Sequence, residues 1–224
     1  MADEPQPEPA LPGIISSISV QKKNKERYSI FVDEEFLIGV AEQTLLKFNL
    51  AKGDAITPKL FRKLQREEGR FKVKSYFLKL LGRRDHARKE LFTKARKKEY
   101  PKEVINNVLD ELQQKGFIND RGFADKFASD KARLNKWGPV KIKAHLLKKG
   151  VDKTDAEKSI QKAFEEENLK ETFLHLVLKR KRRFLREEDL YKRKKKVFDH
   201  LARKGYRSSS IYEHIDSLMK AIEQ

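Results

Sequence analysis

The chain has 224 residues, with 52 Lys and Arg against 34 Asp and Glu, so its formal net charge is +18. That length suits one or two domains with a buried core, and the charge makes polyanions the expected partners. Cysteine is absent, which excludes disulfides, thiolate nucleophiles, iron–sulfur clusters and cysteine-ligated zinc.

The opening MADEPQPEPALP holds four of the seven prolines and three acids, and it reads as a flexible tail over residues 1–12. From Gly13 to Val40 the apolar period is two. Ile14, Ser16, Ile18 and Val20 alternate with Ile15, Ser17 and Ser19, and after QKKNKE the alternation resumes at Tyr28 to Val32. This is a β-hairpin. Asp33-Glu34-Glu35 makes a polar turn, a pair of carboxylates only on paper, and Phe36 to Val40 supplies a third short strand. A helix from about Ala41 to Asn49 completes a module over residues 13–56. Thr57-Pro58 then offers an N-cap hydroxyl followed by proline at the first helical position, so a helix starts there with Leu60, Phe61 and Leu64 on one face.

Beyond about Arg70 the pattern is helical and repeats itself. KKEYPKEVI, KKGVDKTDA and RKGYRSSSI (Lys97–Ile105, Lys148–Ala156, Arg203–Ile211) share two bases, a turn residue, an apolar residue and a polar helix start, at offsets of 51 and 55 residues. Leu91, Ile142 and Val197 fall in register upstream, and Leu109, Ile160 and Ile215 downstream, each as one face of a helix. Gly150 and Gly205 sit where a left-handed C-cap residue is wanted; Glu99 fits that role less well. A further helix precedes each pair, with stripes at Tyr76, Phe77, Leu80, Leu81 and at Phe123, Phe127, Leu134. The expected fold is mainly α: a tandem array of three three-helix repeats preceded by a small β-hairpin-containing N-terminal module. The divisions are 57–120 for a linking helix and repeat 1, 121–167 for repeat 2 and 168–224 for repeat 3.

FINDRGFADKFASD followed by KWGPVKIKAHLLKKGV (Phe117–Asp130, Lys136–Val151) resembles the middle repeat of the regulatory protein RecX family. The resemblance rests on a Phe-x-Asn-Asp start, an aromatic-Ala pair, Gly-Pro, and Ile-x-x-x-Leu-x-x-x-Gly-Val. Tyr76 to Leu81 with GRRDHARKEL and KKEY agrees with the first repeat, and the hairpin with Leu46, Leu50 and Gly53 looks like the family's opening module. Asp85 stands where the family often has Ser, and the third repeat departs most. The resemblance implies a non-catalytic inhibitor of the RecA recombinase that binds the RecA–single-stranded DNA filament, limits its growth, strand exchange and ATP hydrolysis, and so regulates DNA repair and the SOS response. The other reading is a general basic nucleic-acid-binding helical-repeat protein without a dedicated protein partner.

Between Lys179 and Lys196, eleven bases face three acids. The acids are too few to pair most of the bases, so Lys179, Arg180, Lys181, Arg182, Arg183, Lys192, Arg193, Lys194, Lys195 and Lys196 are candidate contacts to DNA or to the filament. Phe184 and Tyr191, seven residues apart, read as core on one helical stripe. Arg83, Arg84 and Arg88 form a second cluster of candidates. The pairs Lys97-Lys98, Lys148-Lys149 and Arg203-Lys204 recur before each turn, and two readings stay open: a periodic binding surface, or bases that offset helix C-terminal dipoles. Trp137 is read as packing under its own turn, and Asn119 as an N-cap.

His86, His145, His175, His200 and His214 show no ligand spacing, and no phosphate-binding glycine loop or G-x-S-x-G occurs. No catalytic residue, metal or cofactor is therefore expected. No apolar run reaches the roughly 18–20 residues that cross a bilayer, so a soluble, cytoplasmic protein without membrane contact is expected. A monomer is the expected state.

Overall fold

The structure is a computed structural model describing residues 10–165 and 168–224. Residues 1–9 of the acidic tail lie outside the described residues, whereas Leu11 packs against the core of the N-terminal module. The chain divides into two compact units, one of residues up to Arg84 with Phe92–Leu112, the other of Asp85–Leu91 with Gln113–Gln224.

In the first unit β1 (Gly13–Gln21), β2 (Asn24–Val32) and β3 (Glu35–Ala41) pair antiparallel, followed by α1 (Glu42–Lys47). Asp33 and Glu34 both take positive φ (49° and 72°), the mirror-image turn that matches strand twist, and their side chains are exposed. Alternation puts Ile15, Ile30, Val32 and Val40 into the core. A fourth strand, β4 (Ala55–Ile56), adds to β1 and gives the order β3-β2-β1-β4. Two residues are too short to show an alternation, so this strand left no period in the sequence.

Thr57 caps α2 (Pro58–Leu81) by accepting from the Leu60 amide at 3.2 Å, with proline in the first turn. The helix that begins at Pro58 and the stripe at Tyr76–Leu81 are one continuous 24-residue element. Its buried Glu68 binds it to the sheet: the carboxylate accepts from the Ala41 amide (2.8 Å) and Thr44 hydroxyl (2.6 Å) and pairs with Arg27 at 3.0 Å. A buried carboxylate is tolerable only when its lone pairs are satisfied in this way. Farther along, Arg70 and Lys74 both pair with Glu111 on α4 (Lys102–Gln114), at 2.5 and 2.8 Å.

The remaining helices are α3 (Arg88–Arg96), α5 (Asp120–Arg133), α6 (Pro139–Lys148), α7 (Lys153–Phe164), α8 (Leu169–Leu178), α9 (Lys181–Leu185), α10 (Leu190–Lys204) and α11 (Ser208–Glu223). The chain is thus mainly helical, as the periodicity indicates. The short α9 is an insertion in the third copy, where the basic run interrupts the path between α8 and α10. In the second unit one core gathers Phe123, Ala128, Ile142, Leu146, Ala156 and Ile160, and another Phe173, Val177, Val197, Leu201, Ile211 and Ile215.

The turn after each middle helix is the same in all three copies. Glu99, Gly150 and Gly205 have φ of 63°, 87° and 94°. The amides of Tyr100, Val151 and Tyr206 reach back five residues to the carbonyls of Ala95, Leu146 and Leu201, at 3.3, 3.1 and 3.3 Å. Each is a Schellman ending. Glu99, which the sequence makes a poor candidate, therefore holds the left-handed position after all.

The reason two copies need glycine lies in what they touch. A Cβ on Gly150 would lie 2.5 Å from Lys89 Cβ, and one on Gly205 would lie 2.3 Å from Lys141 Cβ. Each glycine is pressed against the first turn of the preceding middle helix. At the second of these joints the amides of Gly138 and Val140 donate to the carbonyls of Lys204 (2.8 Å) and Gly205 (3.0 Å), setting the negative end of α10 on the positive end of α6. Gly138 has no room for a side chain either, since its Cβ would meet the Gly205 carbonyl at 2.4 Å.

Gly205→Ala combines a left-handed alanine with a collision, so it should destabilise by about 2–4 kcal/mol in urea unfolding. Glu99→Gly at the equivalent turn should be neutral to mildly stabilising, by about 1 kcal/mol or less.

Candidate nucleic-acid interface

The base pairs before the three turns have a divided role. The second base of each pair folds onto its own neighbourhood: Lys98 Nζ lies 5.4 Å from the Tyr76 ring, Lys149 Nζ 5.6 and 5.8 Å from Phe123 and Phe127, and Lys204 Nζ donates to the Asn135 carbonyl at 3.0 Å. Lys149 also pairs with Glu90 at 3.2 Å. The first bases, Lys97, Lys148 and Arg203, have exposed side chains. The second base of each pair is thus engaged locally by a ring, a carboxylate or a carbonyl, while the first faces solvent.

In the second unit the charges converge. His145 on α6 is pushed below the usual imidazole value by burial first and then by Lys141, Lys148, Lys149 and Lys131. Lys204 is likewise depressed by burial and then by Lys141, Arg180 and Lys179. His200 is lowered to about 4, by burial and by Arg180, Lys204, Arg203 and Arg183. These shifts trace one basic zone from α5 and α6 of the second repeat to the α8–α9 turn and α10 of the third, with Lys141 common to both halves. Like charges held together depress one another's protonation, and an anion relieves this.

The long basic stretch contributes unevenly. Lys179, Arg180, Lys181, Arg182, Arg183 and Arg186 line a shallow recess around the α8–α9 turn. On α10, by contrast, Arg193 pairs with Glu223 (3.1 Å), Lys194 with Asp216 (2.6 Å) and Lys196 with Glu187 (2.6 Å). Glu187 is one of the three acids within the stretch, whereas Asp216 and Glu223 are brought in from α11 by the fold, which a count along the stretch does not register. Lys192 and Lys195 are exposed. Phe184 is core at 3% exposure, but Tyr191 is 79% exposed, contrary to the shared stripe, because α9 ends before α10 begins and the two residues are on different helices.

Arg83 and Arg84 occupy the exposed turn after α2, and Arg88 opens α3 with its guanidinium 3.1 Å from Gln113 Oε1. The Arg88 amide donates to Asp120 at 2.7 Å, and Asp85 lies 2.7 Å from Lys126. Asn119 caps α5 by accepting from the Gly122 amide at 2.9 Å. Lys131, Lys141 and Trp137 belong to the zone and are absent from the sequence candidates, because the bases of residues 131–143 are spaced singly along the chain and gather around Trp137 only when α5 folds back on α6. Lys141 Nζ stands 4.5 Å from the Trp137 ring and Lys131 Nζ 5.3 Å. Among the described residues no group of three or more His, Asp or Glu could hold a metal ion, and no helix is long and apolar enough to cross a membrane.

Four stretches match the domain descriptions of one family: "Regulatory protein RecX N-terminal domain" over residues 13–57, and the first, second and third three-helix domains of RecX over 74–112, 119–160 and 166–215. A regulatory protein RecX of Clostridioides difficile (strain 630) is 30% identical over 207 residues, covering 92% of this chain and 96% of the relative. One from Leuconostoc mesenteroides is 33% identical over 192 residues, 86% of this chain and 71% of the relative. A crystal structure of regulatory protein RecX superposes with a TM-score of 0.73 at 28% identity, covering 92% of this chain and 99% of the other. The three helical copies read from the turn register are therefore the three helical domains of that architecture.

His200 binds its proton more weakly folded than unfolded, so the unfolded chain takes up the extra proton between about pH 6.5 and about 4. Stability should consequently fall as pH is lowered through that window. His200→Phe should flatten the fall by about 1–3 kcal/mol, measured as urea midpoints at pH 7, 5.5 and 4.5.

Proposed function

This chain belongs to the regulatory protein RecX family, and we propose that it regulates the RecA recombinase by lying against the RecA–single-stranded DNA filament and limiting its growth. The observation that carries this reading is the basic zone shared by the second and third repeats, in a chain whose family is regulatory. Tandem repeats offer similar surfaces at intervals, and a filament offers similar protomers and phosphates at intervals. Contacts to protein and to strand reinforce one another through effective concentration, so each contact can be weak. A regulator bound in this way restrains strand exchange and ATP hydrolysis without chemistry of its own, acts in the cytoplasm where the filament forms, and bears on DNA repair and the SOS response. Cofactors have no part in it.

The exposed members of the zone supply the electrostatic attraction, and the paired bases of α10 hold the third repeat together. Lys148→Gln with Arg180→Gln should weaken binding to a single-stranded oligonucleotide and reduce its salt slope by about 1.4, at roughly 0.7 per lost phosphate contact. Lys194→Gln with Lys196→Gln should change the slope less, since those two charges are already spent on Asp216 and Glu187.

The decisive measurement is RecA's DNA-dependent ATP hydrolysis with this protein added well below one copy per RecA protomer. Loss of activity at that ratio is the expected outcome. Inhibition only at concentrations that coat the DNA would replace this reading with that of a general nucleic-acid binder.

A further inference from the structure

Trp137 is the only tryptophan of the chain, and its position is fixed from both sides. Its amide donates to the Lys131 carbonyl at 3.0 Å, and the next residue, Gly138, is clamped to the Lys204 carbonyl at 2.8 Å. The ring is partly buried, with Phe127 edge-on at 6.5 Å and His145 at 4.7 Å and 42°. His145, held below its ordinary pKa by burial and the surrounding lysines, is a neutral aromatic partner at pH 7. The result is a rigid aromatic group in the middle of the basic zone.

Over that ring stand two ammonium groups, Lys141 and Lys131, at 4.5 and 5.3 Å. Among the described residues neither has a carboxylate within ion-pair distance; Lys131 has the Asn135 side-chain oxygen at 3.3 Å and stands also 5.5 Å from the Phe127 ring. A cation–π contact is weaker than a charge-assisted bond to phosphate, so a polyanion draws both lysines off the ring. What they leave is an indole already held in place and flanked by positive charge. Aromatic rings alternating with bases are the means by which single strands are held without sequence preference, and a paired base has no free face to offer.

We propose that Trp137 is a stacking platform for one unpaired base of a single-stranded nucleic acid, with Lys131 and Lys141 turning from the ring to the phosphates on either side of that base. This rests on the reading of the basic zone as a single-strand contact and adds to it a means of distinguishing single strands from duplex.

The sole tryptophan makes the test direct. An oligothymidylate, an abasic oligomer of the same length and charge, and a duplex are titrated against the full chain while its fluorescence and affinity are followed. Stacking predicts quenching by the oligothymidylate and an affinity about 5- to 150-fold higher than for the abasic oligomer, the equivalent of about 1–3 kcal/mol per stacked base. Trp137→Leu should bring that ratio close to one while leaving abasic binding intact. Equal affinity of the unaltered chain for the two oligomers would overturn the platform and leave the basic zone standing, as would a Leu variant that keeps the preference. Failure to bind any oligomer would remove the single-strand contact itself, a result distinguishable because RecA inhibition is read in a separate assay.

Discussion

The left-handed glycine that ends each of the later middle helices is the constraint on which the second unit depends. It closes its own helix through a Schellman turn, and its missing Cβ lets that turn press on the first turn of the preceding middle helix. At Gly205 the contact also supplies acceptors to the α6 amides, so one residue serves conformation, packing and helix capping together. The basic zone follows from it. Lys204, Lys141 and Lys149 are placed by these joints, and Trp137 is held because Gly138 is.

The charge distribution shows how a chain with so large an excess of bases keeps a definite fold. Acids are spent where they tie elements together: Glu68 fastens α2 to the sheet, Glu111 fastens α4 to α2, and Asp216 and Glu223 fasten α11 to α10. Surface pairs contribute little energy individually. Their effect is on which bases remain available, and the surplus is left around the α8–α9 turn and the end of α6. Aromatic faces take some of the rest, as where Lys98 stands over Tyr76. The depressed protonation of His145, Lys204 and His200 is the electrostatic consequence of gathering the remainder in one place.

Most of the fold was legible because local signals agreed with the tertiary outcome. The period-two run, Thr57-Pro58 and the common turn register each specify structure within a few residues, and each corresponds to an element. What was not legible depends on contacts distant in sequence. Glu99 looks a poor cap because the other copies have glycine, yet Gly150 and Gly205 are required by their joints with Lys89 and Lys141 and not by the turn alone. Tyr191 looked buried because a seven-residue spacing presumes one helix, and the loop between α9 and α10 breaks it. The basic candidates were found where they cluster along the chain. Lys131 and Lys141 escape a count of clusters because the zone they join is completed by groups from other helices, and the pairing of Arg193 and Lys194 escapes it because Glu223 and Asp216 come from α11.

The three middle helices differ in who caps them. The first turn of α3 receives the Asp120 carboxylate, and that of α6 the carbonyls of Lys204 and Gly205, in each case from the repeat that follows. In α10 the cap is its own Asp189, which accepts from the Lys192 amide at 2.9 Å. A helix that borrows its cap cannot be separated from its successor without exposing bare amides. Opening the joint between the second and third repeats would therefore uncover the Gly138 and Val140 amides as well as the packed surface, whereas α10 keeps its cap through any such opening because Asp189 travels with it.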